Sequence, residues 1–171
     1  MEPKQGKKMR RPLYSPEERI RRDNSPWTIV QGVLAPLQFA VFLVSLVLVL
    51  RYLATGSGAY SATVSIVVKT FVLYTIMVTG AIWEKKVFGQ YLFAPAFFWE
   101  DVMSFLVIAL HTIYLAALIY GFLDLHQQMY IALAAYAAYV INATQFLLKL
   151  RAARLDEARK AALKFEPELV Q

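Results

Sequence analysis

Apolar positions gather into four long runs separated by short polar breaks. The first, from Pro26 or Trp27 to Leu50, has no charged residue. The second, Tyr60 to Trp83, has one, Lys69, and the third, Val102 to Leu123, has none but contains His111. The fourth runs from Gln128 to Leu148 and carries the amides Asn142 and Gln145. Each is long enough to cross a bilayer as a helix, which takes about 20 apolar residues. The pattern predicts an all-α polytopic membrane protein with a four-helix transmembrane bundle over residues 26–148. A basic tail over 1–25 precedes it and a helical tail over 149–171 follows.

Polar punctuation supports these limits. Ser15-Pro16-Glu17-Glu18 fits a capping box, with Ser15 as N-cap, proline at the first helical position and Glu18 reaching back. Asn24-Ser25-Pro26 repeats the signal, so a short basic helix is expected before the first span. The apolar run that follows is too long for the core of a cleaved secretory signal and reads as a retained anchor. The connection Glu84–Asp101 is apolar in its middle but too short to span. It either lies in the interface or feeds a third helix that starts with Pro95 at its first position and carries Glu100 and Asp101 in its first turns. Beyond Leu148 the residues are strong helix formers, with Asp156 and Lys160 spaced for an i,i+4 pair.

Composition sharpens the picture through where the charges lie. Hydrophobic residues make up 58% of the 171, against about 45–50% in soluble domains. Of 18 basic and 12 acidic residues, only Arg51, Lys69, Glu84, Lys85, Lys86, Glu100, Asp101 and Asp124 fall between Trp27 and Leu148. Both tails and the Lys85-Lys86 connection are basic, whereas the opposite turns carry only Arg51. By the positive-inside rule both termini are expected on the cytoplasmic side, with Trp27, Trp83 and Trp99 at that boundary. The net charge of +6 therefore reads as membrane orientation, not nucleic-acid binding. The chain has no cysteine and two histidines, which excludes thiolate chemistry and disfavours a multi-histidine metal centre. No glycine-rich phosphate loop occurs, and the sequence requires no cofactor.

Ionisable groups inside a membrane are costly and turn toward the bundle interior. At helical spacing, Glu100, Ser104, His111 and Tyr114 share one stripe, and Asn142, Gln145 and Lys149 another. Gln31, Gln38 and Ser45 form a third, and Ser61, Ser65 and Lys69 a fourth. Four inward seams would line a common polar pocket. Candidate catalytic residues are Glu84, Glu100 and Asp101; candidate substrate-binding residues are His111, Lys69, Ser104, Asn142 and Gln145. The amides serve equally as interhelical hydrogen-bonding groups, and the acids as ordinary boundary residues.

Three runs carry a resemblance: SPWTIVQGVLAPLQF from Ser25 to Phe39, VTGAIWEKKVFG from Val78 to Gly89, and YLFAPAFFWED from Tyr91 to Asp101. With Asn142 to Leu155, they resemble the 3-vinyl (also called 2-vinyl) bacteriochlorophyllide hydratase family, over about Pro12 to Leu155. The resemblance implies a hydro-lyase of bacteriochlorophyll biosynthesis in the inner or intracytoplasmic photosynthetic membrane. It would add water across the C3-vinyl group of a chlorophyllide-type macrocycle to give a 1-hydroxyethyl group, with magnesium carried by the substrate. Such chemistry needs a protonated carboxyl group, a base to orient water, and water itself. Desolvation favours the protonated form of a carboxyl group and a helix N-terminus the ionised form, so unequal environments can divide the roles. On this reading Glu100 or Glu84 is the acid and Asp101 orients water or holds its neighbour. His111 is a possible axial ligand to the substrate magnesium. It lies 11 residues from Glu100, about 16 Å along a helix, so with His111 on the metal the acid would come from another helix, with Lys69 as a partner. Lipid is the expected surroundings, and four spans make a small pocket for a chlorin, which leaves a homodimer open. The residues alone also allow a pigment-binding or assembly subunit with His111 as ligand, or a small transporter with Lys69 and Glu84 as a relay.

Overall fold

The computed structural model describes residues 12–165 and is entirely helical there: α1 Pro16–Asp23, α2 Pro26–Thr55, α3 Ala59–Phe88, α4 Phe98–Tyr120 and α5 Leu125–Phe165. The last four are each long and apolar enough to cross a membrane. The basic residues before Pro12, and the side chain of Lys160 in the expected Asp156 pair, lie outside the described residues.

Local chemistry sets the boundaries. Ser15 Oγ accepts the Glu18 N–H at 3.2 Å while Glu18 accepts the Ser15 N–H at 2.7 Å, so the expected capping box forms. Ser25 precedes α2 with Pro26 at the first position, although its side chain makes no capping bond. Gly56, Gly89 and Gly121 end α2, α3 and α4 with φ of 70°, 85° and 66°. These are left-handed C-caps that a side chain would strain. Asp124 and Gln127 exchange reciprocal backbone–side-chain hydrogen bonds at the entrance to α5.

One boundary differs from the sequence expectation. The third spanning helix begins at Phe98, not Val102, and Pro95 stays in the preceding turn. Glu100 and Asp101 accordingly occupy its first turn. The fourth span and the tail are one helix of 41 residues. At 1.5 Å per residue it is about 60 Å long, twice the thickness of a hydrocarbon core.

Short connections make α2–α3 and α4–α5 antiparallel pairs, and α2 also meets α5 and α3 meets α4. On α5 the core alternates small residues (Ala132, Ala135) with large ones (Met129, Tyr136, Tyr139), which pack against Phe42, Ile66 and Val107 of its neighbours. Small residues permit close approach of helices. The outer faces display Ile29, Val33, Val44, Val47, Phe71 and Ile119.

At one end, α1 lies across the bundle. Arg21 Nε donates to the Val87 carbonyl at 2.7 Å, and Arg19 pairs with Glu157 at 2.6 Å, so α1 bridges α3 and α5. Beneath it Tyr14, Trp83, Phe88, Phe97 and Phe146 form an aromatic cluster with ring centroids 5.7–6.4 Å apart. Burial pushes the Tyr14 phenol above its ordinary pKa, and the Arg22 guanidinium sits 4.6 Å from its ring. This end also carries the α3–α4 connection.

Candidate functional site

Two helix ends and one turn bring the three predicted acids together. Glu84 comes from the last turns of α3, and Glu100 and Asp101 from the first turn of α4; each is 5% exposed or less. The Glu84 and Asp101 carboxyl groups are close neighbours, each acting on the other's ionisation. Glu84 Oε2 also accepts the Ala94 N–H at 3.2 Å, and Asp101 Oδ2 accepts the Phe93 N–H at 2.5 Å.

Those two amides belong to a turn that needs holding. Leu92 and Phe93 both have φ of 55°, the left-handed region that a side chain disfavours by about 1–2 kcal/mol per residue. The acids therefore anchor a strained turn as well as acting on each other. Such conformations persist where surrounding contacts over-determine them, and they cluster at functional sites.

Glu100 is held differently. Lys149 of α5 places Nζ 2.5 Å from Glu100 Oε2 and also donates to the Ala96 carbonyl. Its ammonium lies 5.1 Å from the Phe97 ring. Two neighbouring buried carboxyl groups favour one proton held by the pair, because like charges at close range resist ionising together. An ion pair needs the carboxylate. The same corner thus offers one carboxyl arrangement suited to holding a proton and one suited to accepting one.

A second polar cluster lies deeper. Lys69 and His111 are fully buried. Lys69 Nζ sits 3.9 Å from the Tyr139 ring and 5.8 and 5.9 Å from those of Phe42 and Tyr136. Among the described residues it has no hydrogen-bond partner and no acidic partner. A desolvated cation–π contact is worth about 2 kcal/mol. Removing an ammonium from water costs several, so the rings alone do not offset its burial. His111 Nδ1 lies 2.8 Å from the Val107 carbonyl, which fixes that nitrogen as the donor and leaves Nε2 as a free acceptor. The Tyr136 hydroxyl, 2.5 Å from Ser45 Oγ, extends the cluster to Ser65.

Ser104 and Asn142 connect the two clusters, Asn142 Nδ2 donating to Ser104 Oγ at 2.8 Å. Gln145, half-buried one turn further along α5, turns Oε1 inward without a partner. The structure brings the candidate acids Glu84, Glu100 and Asp101 together and divides the candidate binding residues between an interior cluster of Lys69 and His111 and the connecting Ser104, Asn142 and Gln145. Of the four expected seams, Ser61 alone is exposed. The pairing of Lys149 with Glu100 and the aromatic enclosure of Lys69 by Phe42, Tyr136 and Tyr139 were not foreseen. Lys149 did stand on the Asn142–Gln145 stripe, and that register was the available signal. On the outer face, α2 and α3 enclose an apolar groove of about 550 Å³ lined by Ile29, Val33, Leu34 and Thr79, without an ionisable side chain.

Comparison with known proteins gives the chemistry a name. The profile of the 2-vinyl bacteriochlorophyllide hydratase family matches residues 14–152. A relative from Rhodobacter capsulatus is 69% identical over 153 residues, covering 90% of this chain and 89% of its own length. One from Cereibacter sphaeroides is 72% identical over 147 residues, covering 85% and 91%. Both are named 2-vinyl bacteriochlorophyllide hydratase. No solved structure matches the chain. The buried acids of α3 and α4 all fall inside the matched stretch, and the chain belongs to the 2-vinyl bacteriochlorophyllide hydratase family.

Proposed function

We propose that the chain is a hydro-lyase that hydrates the vinyl group of a bacteriochlorophyllide-type tetrapyrrole, and that the reaction takes place at the Glu84–Glu100–Asp101 corner. The observation that carries the site is three buried carboxyl groups from two helices, one of them ion-paired to Lys149. The proton held between Glu84 and Asp101 passes to the terminal vinyl carbon. Positive charge develops on the inner carbon, where the conjugated macrocycle delocalises it. Water adds there, and its spare proton passes to Glu100, the carboxylate that Lys149 holds in place. The vinyl group and one water become the 1-hydroxyethyl group, and return of the proton from Glu100 to the Glu84–Asp101 pair closes the cycle.

The metal of this reading is the magnesium that the substrate brings, and no further cofactor enters. His111 is enclosed within the bundle, so the reading uses it as an interior polar group and not as the magnesium ligand. The substrate's ring carboxylate would meet the basic rim of the same end, where Lys85 and Lys86 are exposed. The chain is then a multi-pass inner-membrane protein with both termini in the cytoplasm. The segregated basic residues and the common end shared by α1 and the far part of α5 support that orientation.

The deciding experiment supplies the purified full chain in detergent with the 3-vinyl substrate in heavy-oxygen water. The expected product is heavier than the substrate by one labelled water. Pigment that binds and returns unchanged under conditions where a relative turns over would overturn the assignment.

A further inference from the structure

Several interior polar groups have no hydrogen-bond partner among the described residues, and each such group calls for an explanation. Among the described residues, Gln38 Oε1, Lys69 Nζ, His111 Nε2, Asn142 Oδ1 and Gln145 Oε1 are buried atoms without a partner. The Tyr114 hydroxyl lies toward Thr63 without completing a hydrogen bond.

Their placement is ordered. On α4, Glu100, Ser104, His111 and Tyr114 follow one stripe; on α5, Lys149, Gln145, Asn142, Tyr139 and Tyr136 follow another. The stripes run antiparallel and meet three times: at Glu100–Lys149, at Ser104–Asn142, and at His111–Tyr136, whose ring centroids are 6.0 Å apart. Lys69 adjoins the last of these through Tyr136 and Tyr139. The unmet atoms of α4 and α5 thus lie along one seam that ends at the acid corner.

The chemistry of the set selects the occupant. Lys69 Nζ can only donate as an ammonium, whereas the amide oxygens of Asn142 and Gln145 and His111 Nε2 can only accept. An anion would satisfy Lys69 and leave the three acceptors unmet. A cation would serve the acceptors and oppose Lys69. A small neutral species that both donates and accepts satisfies all of them, and buried water does this with two to four polar partners each.

We propose that the seam between α4 and α5, from Lys69 and His111 to the Glu100–Lys149 pair, binds a file of water molecules and delivers the water consumed in hydration. The delivery half rests on the acid-corner reading above; the binding half stands on the geometry alone. A macrocycle seated over the corner closes it to bulk water during the reaction, and a file refilled from the exposed rim between turnovers keeps water within reach of the acids. Lys69 and His111 are then positioning residues for water, and neither touches the macrocycle.

Radiolytic hydroxyl-radical footprinting of the full chain in detergent tests the binding half, because radicals form at bound internal water. Tyr114 and Tyr136 line the seam, whereas Tyr14 and Tyr52 are buried to a similar degree elsewhere. Tyr114 and Tyr136 should be modified severalfold faster than Tyr14 and Tyr52; equal rates overturn the file. Turnover tests the delivery half. Asn142→Leu and Lys69→Met should each lower kcat at least tenfold while KM for the macrocycle stays within twofold, and should reduce Tyr136 modification to the control level. Should Lys69→Met fail to fold, Asn142→Leu decides alone. Fast Tyr136 labelling in a variant of unchanged kcat, or in a wild-type chain that makes no hydrated product, removes delivery and leaves the water file standing.

Discussion

Glu100 and Lys149 are the pair on which the division of labour depends. Lys149 approaches a carboxylate that is 5% exposed, and its own side chain is 28% exposed. Removing one partner of a well-buried pair costs about 3–5 kcal/mol; the partial exposure of Lys149 reduces this to about 2 kcal/mol. Lys149→Met should therefore lower the thermal midpoint and abolish most turnover. Adding Glu100→Gln should recover much of the stability, because no unpaired charge remains, but none of the activity. Equal activity in Glu100→Gln and wild type would remove Glu100 as the proton acceptor. Glu84→Gln and Asp101→Asn separate anchoring from proton transfer. The amide oxygen still accepts the Ala94 or Phe93 N–H, so the turn keeps its hydrogen bonds while the shared proton is lost. Loss of a positioned acid or base typically costs about 10²–10⁴-fold in rate. Each variant should show at least the lower figure in kcat, with proteolysis of the 89–97 turn unchanged. Accelerated cleavage there together with the rate loss would mean that the acids act only as anchors.

The turn between α3 and α4 shows how an element can be legible in outline and hidden in detail. Its existence followed from Pro95 and from an apolar run too short to span, and its two acids were visible as charges without an ordinary place. The left-handed Leu92 and Phe93 were not visible, because such residues carry no signature when tertiary contacts impose the conformation. The N–H acceptors on Glu84 and Asp101, ten and eight residues away, hold it together with the Gln90 side chain, which donates to the Leu92 carbonyl. The Lys149–Glu100 contact was likewise beyond local pattern, joining positions 49 apart through the packing of α4 on α5. By contrast the spanning helices and the Ser15–Glu18 box were readable, since periodicity, length and capping are properties of neighbours in sequence. The strain itself is measurable. Leu92→Gly should leave the thermal midpoint unchanged or raise it, the relief of about 1 kcal/mol offsetting the loss of a half-buried side chain. Leu92→Val, β-branched and ill suited to positive φ, should lower it. The reverse order would show that the turn is not strained at that position.

At the scale of the whole molecule, the separation of charge from apolar length gives the bundle a direction. The acids, the basic rim, α1 and the Trp83–Phe97 aromatic cluster share one end, and the turns at Gly56–Gly58 and Gly121–Asp124 form the other. A substrate whose ring is apolar and whose carboxylate is charged suits such an end, with the ring at the lipid boundary and the carboxylate facing the basic rim. Which face of the membrane that end occupies is a question of topology, and the chain lends itself to an answer because it contains no cysteine. A cysteine introduced at Ser57 or at Gln90, both exposed and both in turns, would be the sole thiol in its variant. The basic residues predict that Gln90→Cys reacts with a membrane-impermeant thiol reagent only in inverted vesicles, and Ser57→Cys only in right-side-out ones. Ser57→Cys should retain full turnover; Gln90→Cys loses the Gln90 Nε2 bond to the Leu92 carbonyl but neither acid, and should still form the hydrated product, which confirms that the labelled protein is folded. Labelling with the opposite sidedness would place the acid corner on the outer face and overturn cytoplasmic entry of the substrate. The hydration chemistry itself would stand, because it depends on the contacts of Glu84, Glu100 and Asp101 and not on which compartment they face.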